Sequence, residues 1–114
     1  MNNEGRDYYK SIDNWHTFVY IQTMIFDWNN QKNEELKKSR KISFEEIVFL
    51  ISKGHVLEIL EHPNPQKYSN QKLYVIEVKR YAYIVPFVKE GNKRFLKTIF
   101  PSRKYTQKYF GGDK

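Results

Sequence analysis

The stretch "KLYVIEVKRYAYIVPFV" (Lys72–Val88) decides the fold class. Two runs rich in β-branched and aromatic residues flank Lys79–Arg80, and so short a break between strands makes a tight hairpin. Apolar side chains fall on both faces of each run. The sheet they begin is therefore covered by helices on one side and partly shielded on the other. Pro86 cannot donate to a ladder, which predicts an edge or a bulge at that end of the strand.

Upstream, "SFEEIVFLISKG" (Ser43–Gly54) is the best-specified helix. Ser43 and Glu46 form a capping box, Gly54 is the stop, and Phe44, Ile47, Val48 and Ile51 make one buried stripe. "HVLEILEH" (His55–His62) reads as a strand ended by the Pro/Asn-rich loop "PNPQKYSNQ". "NNQKNEELKKSRK" (Asn29–Lys41) reads as a solvated surface helix, with an Asn available as N-cap and acids ahead of bases. Before it, "TFVYIQTMIFDW" (Thr17–Trp28) has strand composition, with a break near Thr23, and residues 1–15 are polar and aperiodic. Downstream, "KEGNK" is a turn and "RFLKTIF" a strand, and Ser102 caps a last helix, "SRKYTQKYF". The order β-α-α-β-β-β-β-α makes an α+β domain with helices on a largely antiparallel sheet.

The 114 residues suffice for one domain, and an aromatic content of 17% argues for a packed core. No run approaches the length of a membrane span, and the N-terminus lacks the apolar stretch of a signal peptide. The absence of cysteine removes disulfides and thiol chemistry and fits a cytoplasmic protein. Charge is unevenly spread. Residues 1–61 carry 8 Lys/Arg against 10 Asp/Glu, whereas residues 62–114 carry 12 against 3. Such asymmetry predicts one basic face, suited to nucleic acid or an acidic protein. No Gly-rich phosphate loop, metal-ligand spacing or Ser-His-Asp set is present, so neither a metal nor a cofactor is expected.

The segment "FDWNNQKNEELKKSRKISFEEI" (Phe26–Ile47), through Phe26, Trp28, Lys32, Phe44, Glu45 and Glu46, is similar to the opening of BrnT-type toxins. "TIFPSRKYTQKY", through Ile99, Arg103, Lys104 and Thr106, resembles their close. The resemblance runs from about Met24 to Tyr109, so the expected organisation is an N-terminal extension (1–23), a single domain (24–110) and a tail (111–114). It departs at Arg40-Lys41, where the family has His-Gly, and at Lys72, where it has Arg.

The resemblance implies a bacterial toxin of a type II toxin–antitoxin pair with a RelE-like fold, in which two N-terminal helices pack on the sheet and a short helix ends the chain. It further implies a metal-independent endoribonuclease acting on RNA, free or at the ribosome, and silenced in a hetero-oligomer with a cognate antitoxin. In such chemistry the RNA's own 2′-OH attacks phosphorus, and the protein moves protons and stabilises the crowded anion. Arg103, beside the Ser102 cap, suits the anion, because its rigid fork matches phosphate. Lys97, His62 and Tyr109 are the candidates for proton transfer. Lys97 reads equally as a solvated lysine, a lone histidine is more often structural, and Tyr105 reads as core packing. Lys32, Arg40, Lys72, Lys79, Arg80, Lys104 and Lys108 are the expected RNA contacts. Two other readings compete: a non-catalytic module binding nucleic acid or acidic protein on the same basic face, and an interaction protein using its Tyr- and Phe-rich strands.

Overall fold

A computed structural model describes residues 24–111. The expected extension 1–23, with the first part of the strand read over Thr17–Trp28, lies outside the described residues, as do tail residues 112–114. The elements run β1 (Ile25–Trp28), α1 (Asn30–Arg40), α2 (Phe44–Ser52), β2 (Val56–Glu61), β3 (Gln71–Val78), β4 (Tyr81–Glu90), β5 (Lys93–Leu96), β6 (Phe100–Pro101) and α3 (Arg103–Phe110).

The fold is α+β, and its arrangement corrects the RelE-like expectation of two N-terminal helices packed on a sheet. Within the described residues a strand comes first and the helices follow it. The sheet has six strands in the order β1-β5-β4-β3-β2, with β6 beside β4. β1 lies parallel to β5, Ile25 opposite Lys93 and Trp28 opposite Leu96, and every other pairing is antiparallel. The reason for the difference is physical. A four-residue strand pairing with residues almost seventy positions away leaves no local trace in the sequence, and the polar α1 gives the sheet core only Leu36. Only Asn33 and Leu36 of α1 are buried.

Asn33 joins the two N-terminal helices. Its Oδ1 accepts the Phe44 N–H at 2.8 Å and its Nδ2 donates to Glu45 Oε1 at 2.8 Å. The amide therefore satisfies an N–H at the first turn of α2. That bond from Asn33 is the main reason the Glu45 carboxyl lies below the ordinary carboxylate range. Ser43 caps α2 as its spacing requires, its Oγ accepting the Glu46 N–H. Phe44 and Ile47 then enter the core fully, and Phe44 stacks on Trp28 at 5.6 Å.

The two faces of the sheet carry two cores. Tyr74, Ile76, Val78, Val85, Phe87 and Leu96 meet α1 and α2, together with Ile99. Val75, Ala82 and Ile84 on the other face meet Tyr105 of α3. Packing was the expected role of Tyr105. A bulge between Val56 and Glu58 makes room on that second face for Leu57 to join the core while Glu58 reaches α3.

β4 is internal rather than an edge, and Pro86 sits where its outer ladder is interrupted. β5 pairs with Phe87–Glu90 and β6 with Tyr83–Ile84, leaving Pro86 between them. The Pro86 carbonyl still accepts the Lys97 N–H at 2.8 Å. The nitrogen of the same residue points to that side too, so no bond to β3 is lost.

Candidate nucleic-acid interface

The β3–β4 connection is the two-residue turn Lys79–Arg80, with Val78 opposite Tyr81. Both turn residues have positive φ, 53° and 62°. A type I′ turn requires this, and Asn-Gly normally supplies it. Left-handed backbone costs an ordinary L-residue about 1–2 kcal/mol. The third positive-φ residue that is not glycine, Lys41 at 58°, ends α1. It reaches the same end of the sheet, because Arg40, Lys41 and Lys79 line one cleft together. All three costly positions are thus lysine or arginine, and all three lie at one place.

α3 is bolted across this turn. The Ser102 N–H donates to the Ala82 carbonyl at 2.9 Å, and the Ala82 N–H donates to Thr106 Oγ1 at 2.8 Å. The Thr106 hydroxyl in turn donates to the Ser102 carbonyl. Ser102 Oγ caps the helix by accepting the Tyr105 N–H. These bonds bring Arg103, at the start of α3, beside Arg80. The two arginines, Tyr81, Thr106, Gln107 and Phe110 line a cleft of about 450 Å³. The Arg80 guanidinium lies over the Phe110 ring, 4.9 Å from its centroid, which orients its fork. Among the described residues no carboxylate pairs with Arg80 or Arg103.

A second cleft of about 390 Å³ opens on the other side of the turn, lined by Arg40, Lys41, Glu46, Lys79, Tyr81 and Tyr83 together with the buried Ile42 and Val78. Arg40 also has a structural task, as its guanidinium donates to the Ile99 carbonyl. Tyr81 lines both clefts. It is exposed, and Tyr83 meets it at a steep angle with centroids 5.9 Å apart.

The four residues expected to share catalysis do not meet. Arg103 is at the turn end. His62 follows the far end of β2; its Nδ1 accepts the Asn64 N–H and its ring packs on Tyr68 at 4.3 Å. Along β4 the turn at Tyr81 and the level of Glu61, at Phe87, are six residues apart, roughly 20 Å at the usual rise. Lys97 is exposed in the β5–β6 connection. Tyr109 faces β2, where its hydroxyl and the Lys108 ammonium both donate to Glu58 Oε1. Those two bonds hold the Glu58 carboxyl below its ordinary range, Lys108 first and Tyr109 second. The same carboxylate pushes both Lys108 and Tyr109 up.

The expected RNA contacts divide likewise. Arg40, Lys79 and Arg80 converge with Arg103. Lys72 is tied to Glu61 at 2.8 Å and Lys108 to Glu58 at 2.8 Å. Lys104 lies over the Tyr105 ring, and Lys32 projects from the solvated α1. Tyr81 and Lys41 were missed. The signal for Tyr81 was available: a two-residue strand turn made of Lys-Arg, with no Gly or Asn, is costly enough to mark a site. Among the described residues no group of three or more His, Asp or Glu side chains is placed to hold a metal ion. No described helix is long and apolar enough to cross a membrane.

Comparison with protein-family models, with curated proteins and with solved structures finds no match to this chain.

Proposed function

We propose that this chain binds RNA at the turn end of its sheet, with a phosphate between Arg80 and Arg103. In this reading it acts as a cytoplasmic, BrnT-like toxin that cuts the RNA and is neutralised by an antitoxin. The observation that carries the reading is the cleft that Arg80, Tyr81 and Arg103 line, where neither guanidinium has a described carboxylate partner. A buried or paired arginine has spent its fork on the protein; these two have not. Lys41 lends support to the family resemblance, since its left-handed φ of 58° stands where the family has glycine.

Cleavage by 2′-OH attack requires the two arginines to stabilise the crowded phosphorus and a nearby group to move the proton. Tyr81, which lines the same cleft, places a phenol hydroxyl at hand for that task. A second reading is binding without cleavage. It is favoured by the scatter of Lys97, His62 and Tyr109, none of which lines the arginine cleft.

The test is incubation of purified protein with a long RNA in EDTA, beside Arg103→Ala. Cleavage by the unaltered protein alone supports the toxin reading. Salt-dependent binding without cleavage moves the function to the second reading, because phosphate neutralisation releases counterions. A folded Arg103→Ala variant that binds and cuts normally removes the cleft from either account.

A further inference from the structure

We infer that the ligand is an unpaired strand whose base stacks on Tyr81 while successive phosphates sit in the clefts on either side of it. This deepens the RNA-binding reading above and rests on it. Three features converge. The two clefts are separate, one lined by Arg80 and Arg103, the other by Arg40, Lys41 and Lys79. Tyr81 is the residue they share. The residue is 38% exposed, and no described ring lies parallel against its own.

An aromatic side chain flanked by cations is the arrangement that holds single strands. The backbone tracks the charges and the base, freed from pairing, covers the ring. A duplex hides its base faces within the stack and offers only edges and phosphates. It could meet the arginines but not the tyrosine face. The turn enforces the arrangement. With Lys79 and Arg80 both left-handed, consecutive cations are sent to different clefts, Lys79 to one and Arg80 to the other. Thr106 and Ser102 then hold Ala82, so that Tyr81 is gripped between the turn and α3. Glu46 lines the second cleft and opposes a phosphate there, which makes the Arg80–Arg103 cleft the tighter of the two.

The experiment is fluorescence anisotropy with a labelled hexamer of uridine and with a labelled RNA duplex, in matched salt. The unaltered protein should prefer the single strand by roughly tenfold or more, the range that stacking on one aromatic ring commands. Tyr81→Leu should erase that preference, and Tyr81→Phe should keep it, because Phe stacks as well without the hydroxyl. Glu46→Gln should tighten single-strand binding. Lys79→Asn, which suits the left-handed position better, should raise the melting temperature and weaken binding together. Equal affinity for duplex and single strand overturns the inference, and so does a folded Tyr81→Leu variant with unchanged preference. In both cases Arg103-dependent binding would still uphold the RNA-binding reading. Binding of neither RNA overturns both. Should Tyr81→Leu fail to fold, the preference of the unaltered protein and of Tyr81→Phe still decides.

Discussion

Both ends of the sheet carry cations, and they use them differently. At the far end, Lys72 is paired with Glu61, Lys93 with Asp27 at 3.4 Å, and Arg94 donates to the carbonyls of Gly91 and Lys93. At the turn end, Arg80 and Arg103 have no described carboxylate partner, and Lys41, Lys79 and Arg80 occupy left-handed backbone that costs stability. Surface pairs such as those of the far end contribute little, about 0–1 kcal/mol each, and neutralise the field that would attract a polyanion. The comparison teaches that net charge locates a basic protein but not a basic site. Pairing and strain locate the site.

The severest way to break the comparison is to remove the scaffold under both ends. Phe44 is fully buried against Trp28, and Phe44→Ala should cost about 3–5 kcal/mol, read as a large fall in denaturation midpoint with binding lost throughout. Asn33→Ala should cost about 1–3 kcal/mol, since the Phe44 N–H and Glu45 lose a buried partner. It should loosen the α1–α2 corner while the Ser102–Ala82–Thr106 bonds hold the arginine cleft, so Arg103-dependent binding should persist below the lowered melting temperature.

A sharper version sets one cation from each end side by side. Arg103→Ala should weaken RNA binding by a term of about 1.5–3 kcal/mol, the usual worth of a hydrogen bond to a charged group, and flatten the salt dependence by about one phosphate. Lys93→Ala should change neither by more than a few tenths of a kcal/mol, as expected of a screened, paired surface lysine. Binding isotherms at several salt concentrations distinguish them. Equal losses from both variants would dissolve the contrast between the ends.

The smallest effect concerns the clasp of α3 on β2. The Glu58 carboxyl is depressed, so its contribution is present at neutral pH and lost as the pH falls through its lowered range. Lys108 and Tyr109 are raised, so theirs is present at neutral pH and lost only in alkali above their ordinary ranges. The melting temperature of the unaltered protein should therefore fall at both extremes relative to Glu58→Gln, by a degree or two at most given the exposure of the cluster.

Most elements were legible because their signals are local. The Ser43 capping box, the apolar stripe Phe44–Ile51, the Ser102 cap and the hairpin across Lys79–Arg80 each rest on residues a few positions apart. Arg103, Arg80, Lys79 and Arg40 were also legible as cations suited to phosphate. Their convergence was not, nor was the removal of Lys72, Lys108 and Tyr109 into pairs with Glu61 and Glu58, because those partners lie from 11 to 51 residues away.

By itself, then, the sequence determined the three helices, the strands β2 to β4 with their hairpin, and the excess of cations in its second half, all of which follow from propensity, periodicity and composition; the single strand expected over "RFLKTIF" is instead broken at Lys97–Ile99 into β5 and β6. The tertiary structure alone decided that β1 lies parallel to β5, that Pro86 sits in a gap of an internal strand, and that α3 is pinned across the β3–β4 turn. It also decided which cations stand together around Tyr81. Long-range pairing and side-chain partnership depend on where distant segments meet, and no periodicity encodes that meeting.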